Sequence, residues 1–416
     1  MVVQEDKNCH IFMFGLPKQQ HPFPIAESRN VGMFNFETVT VTEMVSKKGN
    51  RTRYLHNMKT LDNVLRQDYR KWHLHHRSIL DSQPLHKSTV KVLIFRGMAK
   101  NLGLGDRLRA LARSYLTAVL TDRLFLIDLE LYNSFSSVLS SPEGFNFGFD
   151  LRKLYISDTK NRNKMLPPQM KVVRNYTQND LSVFLSETPV IVVDDYHGTD
   201  CRELCKAGTQ MVSSKIKDAF NNMRKPFPKC AEIMPFVMNV VFRPTKKFRR
   251  YIKHIESHLG ENSRAPYISI HARIGISFNE TGSRFNLTEH RLTEKSLATC
   301  MARNVFLEAY LRNISVPFTF FISTDTPPFR KTLEQEIHKF DRKANVFFGS
   351  WEPFHIRNLK NKEPSDEEKL MNIFADIYFL SHGVFIFHIP SGFANLAKWF
   401  GSMTMEDSKV ITLEEC

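Results

Sequence analysis

Pro266–Gly275, PYISIHARIG, decides how the chain is read. Tyr267, Ile268, Ser269 and Ile270 are aromatic, β-branched or small, which predicts a short buried strand, and Gly275 predicts the turn that follows. His271 and Arg273 stand one strand period apart at the carboxyl end of that strand, so their side chains point the same way. Ligands of open α/β sheets sit outside the carboxyl ends of the strands, and a planar guanidinium beside an imidazole suits a phosphate with its attached base. The plainer alternative is a structural ion pair for Arg273 and a histidine satisfied within the fold.

The flanking sequence repeats one pattern. Downstream, Leu292 to Leu311 predicts a helix, VPFTFFISTD a buried strand ending in Thr324 and Asp325, and PPFRKTLEQEIHKF a helix opened by prolines. NVFFGS is a short strand, the stretch from Glu363 a helix with an acidic first turn and a glycine stop, VFIFHIP a strand, and SGFANLAKWFG the start of another helix. Alternating strands and helices predict a doubly wound nucleotide-binding domain in which the turns HARIG, STDTPP and PSGFAN line one sheet edge. Upstream, VKVLIF from Val90, a helix over Asp106 to Thr121 and the strand RLFLID ending at Asp128 make a βαβ start. The loop between them carries Gly103 and Gly105, two of the three glycines of a dinucleotide fingerprint, but Leu108 fills the third position and no GK[ST] follows. What remains is a helix N-terminus with free N–H groups and Arg107 in its first turn, an anion- or sugar-binding loop.

The rest of the chain bounds the answer. Its 416 residues predict two domains; 42% hydrophobic and 24% charged residues fit a folded protein, and a net charge of +15 favours an anionic partner. Residues 1 to about 56 show no sustained period apart from VTVTEMV, Val39 to Val45, which alternates like an edge strand. Leu61 to Leu80 predicts a helix whose His73, His75 and His76 are expected on its wet face rather than as metal ligands. Residues 130 to 185 look loop-rich, with SFSSVLSSPEGFNFGF a surface excursion, and TPVIVVDDYHG from Thr188 is a core strand ending in Asp194 and Asp195. The stretch from Met223 looks like a domain junction, and Lys246, Lys247, Arg249 and Arg250 like a solvated helix start rather than a nucleic-acid patch. The expected organisation is an extension over 1–86, an α/β lobe over 87–245 and a nucleotide-binding lobe over 246–416. Cys9, Cys201, Cys205, Cys230, Cys300 and Cys416 are too scattered for paired CxxC zinc ligation, though Cys201, Cys205 and Cys230 are near enough in sequence for a luminal disulfide. Sequons at Asn50, Asn175, Asn279, Asn286 and Asn313 tilt towards a secretory compartment. The N-terminal segment has no apolar core of signal-peptide or anchor length and no later run spans a membrane, so the expectation is a soluble chain. It would be cytoplasmic as written, or Golgi-luminal if an N-terminal anchor precedes it.

Four stretches in order resemble the GDP-fucose-dependent fucosyltransferases, the superfamily of α1,2-, α1,6- and protein O-fucosyltransferases and bacterial nodulation enzymes. GLGDRLRALARSYLTAVLTDRLFLID is similar to the glycine loop and helix of the α1,2 and nodulation members, and His271 to Arg273 to the H-x-R motif at the donor phosphates. FISTD and FADIYFLSHGVFIFHIPSGFANLA are similar to the downstream strand, final helix and S-[SG]-F turn, so the likeness covers roughly residues 90 to 400. It implies a two-lobed GT-B-like fold with Rossmann-like lobes, the donor GDP-fucose in the C-terminal lobe, a glycan acceptor, an inverting transfer and no metal or other cofactor. It implies that Arg273 holds the β-phosphate and stabilises the leaving charge, that His271 and Asp376 read the guanine, that Ser391, Gly392 and Phe393 face the phosphates, and that Asp325 sits beside the nucleoside. Where several relatives continue with a second arginine and an acid, this chain has Ile274 and Gly275, so the resemblance supplies one arginine rather than a clamp of two. Glu280, just downstream, is the candidate general base. Two rival readings are a nicotinamide-dependent oxidoreductase using Gly103, Gly105 and Asp128, and a non-catalytic nucleotide- or glycan-binding relative.

Overall fold

The computed structural model describes residues 63–83, 88–97, 103–142, 145–151, 156–157, 164–165, 170–173, 184, 186–193, 233–260, 265–274, 292–314, 317–351, 364–401, 407–412 and 415–416. The expected edge strand at Val39 to Val45, the acids Asp194 and Asp195, the turn at Gly275, Glu280, and Cys201, Cys205 and Cys230 lie outside them.

Two parallel five-stranded sheets organise these residues. The first is built from β1 (Val92–Phe95), β2 (Leu124–Asp128), β3 (Gly148–Phe149), β4 (Met170–Val173) and β5 (Val190–Val193), in the order β3-β2-β1-β5-β4. VLIF, LFLID and VIVV are buried along their whole length, the run expected of strands covered on both faces. Helix α1 (Tyr69–Ser82) precedes the first strand yet joins this core: the Tyr69 hydroxyl donates to Arg123 O at 2.8 Å and accepts from Phe125 N–H at 2.9 Å. Arg123 is itself wholly buried, and its guanidinium is spent on the carbonyls of Phe184, Ser186 and Thr188.

Between β1 and β2 runs α2 (Leu104–Leu120), whose Leu108, Leu111, Ala112, Tyr115, Leu116 and Val119 are fully or almost fully buried. After β2 come α3 (Leu129–Phe135), α4 (Ile233–Val241) and α5 (Lys246–Leu259). Thr245 caps α5 by accepting from Phe248 N–H, and Lys246, Lys247, Arg249 and Arg250 are exposed, as a solvated start requires.

The second sheet contains β6 (Ile268–Ala272), β7 (Thr319–Thr324), β8 (Asn345–Phe347), β9 (Ile386–His388) and β10 (Ser408–Val410), ordered β8-β7-β6-β9-β10. Its helices are α6 (Glu294–Leu311), α7 (Pro327–Phe340), α8 (Pro364–His382) and α9 (Gly392–Phe400). Taken in chain order the strands run 3-2-1-4-5, the doubly wound order, so the reversal falls between β6 and β9. One face of this sheet, with Ile268, Ile270, Ala272, Phe320, Ile322 and Phe387, makes a core with α6 and α7. The other joins a core continuous with the first half of the chain, in which α9 packs on α2 and α4.

The structure corrects two readings. The segment read as a surface excursion is partly core: Val138 and Phe147 are fully buried and Phe145 nearly so, because Phe145 and Phe147 alternate with the exposed Asn146 and their rings stack on each other inward. His73 is not on the wet face; it follows Tyr69 by one helical turn, is fully buried, and shares a 3.2 Å hydrogen bond with Asn146 O. The stretch from Met223 that leads into α5 also contains α4. A disulfide also joins Cys300 in α6 to Cys416, a pairing that no spacing pattern indicated. Among the described residues no helix is long and apolar enough to cross a membrane.

Candidate functional site

Each strand end at the reversal of the second sheet delivers a polar group. His271 and His388 are register partners on β6 and β9, and Ser323 pairs with His271 from β7, so all three side chains share one sheet face. Around them stand Asp325 after β7, Ser391 ahead of α9, and Asp376 on α8.

Ser391 does two things. Its Oγ accepts the Phe393 N–H at 3.1 Å, capping α9, and lies 3.1 Å from His271 Nε2. The Phe393 ring lies 5.3 Å from the His271 ring. The expected pair His271 and Ser391 is therefore one unit, set at a helix N-terminus whose N–H groups favour anions. Burial holds the His271 imidazole at a pKa of about 3, with His388 and Arg273 adding like-charge repulsion, so it is neutral at working pH. Its Nδ1 and the Nε2 of His388 are buried polar atoms without hydrogen-bond partners among the described residues, which is costly in a folded core unless a ligand serves them.

Asp325 has a role the sequence did not reveal. Its Oδ1 accepts the backbone N–H of Ile274 at 2.8 Å, fixing the chain one residue beyond Arg273. Arg273 is half-buried at that carboxyl end, beside His271. Asp376 accepts from the Ser323 hydroxyl at 3.2 Å, which places it next to the His271 register position. Burial raises its carboxyl to a pKa of about 6, against the opposing pull of the Arg330 guanidinium and the Ser323 hydroxyl. The Trp351 indole adds a weaker pull from outside hydrogen-bond geometry. Arg330, buried on α7, donates to Gly349 O at 2.7 Å and lies over the Phe348 ring. Lys398 on α9 is a buried amine whose pKa burial lowers, and it repels a charged His388.

The glycine loop of the first half meets this site. A Cβ at Gly105 would lie 2.5 Å from Gly392 O, so α2 approaches the Ser391–Gly392 turn as closely as only glycine permits. Gly103 is the N-cap of α2 and its carbonyl accepts the Arg107 N–H at 3.1 Å. Asp106, paired with Arg109 at 2.6 Å, also faces Gly392. Gly105 thus serves contact between the two halves rather than close approach to a dinucleotide, and Leu108 in the third glycine position is wholly buried. Asp128, the acid of the nicotinamide reading, is a buried carboxylate at the end of β2 whose pKa is raised chiefly by burial.

Ser323, Arg330, His388 and Lys398 were not singled out from sequence. His388 was findable, since an imidazole in the apolar strand VFIFHIP carries the same signal as His271. Arg330 and Lys398 were not, because a basic residue in an amphipathic helix normally faces water.

No protein-family model matches the chain, and neither does any curated protein. Solved structures do. A mutant of Arabidopsis thaliana FUT1 in complex with GDP superposes with a TM-score of 0.56 at 13% identity, covering 92% of this chain and 83% of that one. NodZ α-1,6-fucosyltransferase of Bradyrhizobium, co-crystallised with GDP, gives 0.41 at 17% identity over 75% and 93%. POFUT1 in complex with GDP-fucose gives 0.37 at 10% identity over 78% and 98%. The FUT1 likeness establishes the fold, a two-lobed Rossmann-like α/β architecture, as the sequence resemblance implied.

Proposed function

We propose that the protein is a glycosyltransferase that moves fucose from GDP-fucose to a glycan or glycoprotein acceptor, with inversion and without a metal ion. One observation supports the reading: at the strand-order reversal of the second sheet, His271 bonds Ser391 at the cap of α9, Arg273 follows it beyond the strand end, and the half-buried carboxylate Asp376 accepts from Ser323, the register partner of His271. The bound GDP of the FUT1 structure, which shares this fold, supports the choice of nucleotide.

In this reading Arg273 donates to the β-phosphate and stabilises the negative charge that grows there as the sugar–oxygen bond breaks. Asp325 keeps that arginine in place through the Ile274 N–H. Ser391 caps α9 by accepting the Phe393 N–H and orients the neutral His271, while the Gly392 N–H at the start of the Ser391–Phe393 turn faces the diphosphate. Gly103, Gly105 and Arg107 close the site from the other half of the chain. Asp376 accepts from the N1–H and exocyclic amine of guanine, a pattern that adenine and the pyrimidines do not present. Glu280 takes the acceptor hydroxyl proton.

The Cys300–Cys416 disulfide supports residence in an oxidising compartment, consistent with the Golgi lumen. The test is release of GDP from GDP-fucose by the purified full chain over a panel of glycan acceptors, with UDP-sugars as controls and a chelator in a parallel arm. Acceptor-dependent release that survives chelation and gives the inverted anomer supports the reading; GDP binding with neither transfer nor hydrolysis would make the chain a binding relative instead.

A further inference from the structure

The turn that ends α6 is built as an attachment point. Asn313 is exposed and sits at φ 51°, in the left-handed region that asparagine adopts more readily than most residues. Its N–H donates to Tyr310 O at 3.0 Å, and the next residue, Ile314, donates to Ala309 O at 3.0 Å, so the turn is closed by its own backbone. Arg312 anchors it from the inner side, bonding Glu308 at 2.8 Å and lying 4.8 Å over the Phe385 ring. Asn313-Ile314-Ser315 is a sequon. Beside it the helix leaves apolar side chains uncovered: Leu307 is 56% exposed, Tyr310 75% and Leu311 70%. Among the described residues these are the three most exposed large hydrophobic side chains, and they gather at one helix end. The disulfide between Cys300, on the same helix, and Cys416 belongs to the compartment where asparagine-linked sugars are added.

We infer that Asn313 carries an N-linked oligosaccharide whose first sugar packs on the ring of Tyr310. In the modification Asn313 Nδ2 attacks the reducing-end carbon of a lipid-diphosphate-linked oligosaccharide in a transfer enzyme. The new N–C bond forms as the C–O bond to the diphosphate breaks, the lipid diphosphate leaves with the electron pair, and one amide proton passes to a base of that enzyme. The sugar then sits within one helical turn of Tyr310, whose amphipathic ring offers it an apolar face. A bulky, solvated glycan there shields Leu307 and Leu311.

The full chain is passed through the secretory pathway of cultured animal cells and treated with peptide N-glycosidase in heavy-oxygen water, and the Asn313 peptide is read by mass spectrometry. Asn313 is expected as heavy-oxygen-labelled aspartate in the wild type and as unlabelled asparagine in Ser315→Ala, which removes the sequon and leaves the turn residue untouched. Ser315→Ala is expected to lower Tm by about 1–3 °C, and to lower it no further in a Tyr310→Ala background. An unlabelled Asn313 in the wild type, or equal labelling in Ser315→Ala, overturns the site. An undiminished Tm difference in the Tyr310→Ala background overturns the packing.

Discussion

The two sheets are alike in strand number and direction and differ in what they bury. β1, β2 and β5 hide apolar side chains on both faces, Asp128 at the end of β2 apart, and the guanidinium of Arg123, buried beside them, donates to three carbonyls. β6, β7 and β9 bury Ser269, His271, Ser323 and His388 on the face towards α8 and α9, and each of the two imidazoles keeps a nitrogen with no hydrogen-bond partner among the described residues. Burying polar groups without partners costs free energy, so a fold retains them where something else is gained. The first sheet therefore reads as scaffold and the second as the carrier of the site.

This contrast can be broken. Arg273→Ala is expected to lower transfer by about 100- to 1,000-fold with little change in Tm, the size of a lost donor at developing charge; unchanged turnover would remove Arg273 from the site. Leu93→Ala, fully buried in β1, should do the converse, costing about 2–4 kcal/mol of stability while the folded fraction keeps its affinity for GDP. Denaturant titration beside calorimetry separates the two, and a matching loss of GDP affinity would erase the distinction between sheets.

Gly105→Ala tests the seam. The added methyl meets the Gly392 carbonyl, so the α2 N-terminus must retreat from the Ser391 turn, and GDP affinity is expected to fall about fivefold to tenfold. Full affinity would show that the first half contributes nothing to the donor. The last effect is in pH dependence. With its pKa raised to about 6, Asp376 gains a proton as pH falls through that value and ceases to accept from guanine. GDP affinity should then fall towards about tenfold per pH unit on the acid side. Asp376→Asn should bind weakly and lack that step, leaving only the titration of GDP itself; an identical profile in both proteins would release Asp376 from the base.

Much of this was legible because parallel strands are apolar runs bounded by turns. The αβ alternation, the strand ending at His271 and the helix that Ser391 caps all follow from local pattern. The seam did not, because Gly105 and Gly392 are far apart in sequence and glycine leaves no periodic mark. Phe145, Phe147 and His73 were misread for a related reason: serine-rich or charged neighbours hide a core face whose period spans only two or three residues. The structural duty of Asp325 was invisible because a carboxylate that accepts from backbone looks, in sequence, like one waiting for substrate.

The most direct test of the central claim is a thermal-shift comparison of GDP, UDP, ADP and NAD on the full chain and on Arg273→Ala. Binding to the native state raises Tm with ligand concentration. The account predicts a rise with GDP alone, strongly reduced in Arg273→Ala; a rise with NAD or UDP equal to that with GDP, or no response to GDP, would contradict it.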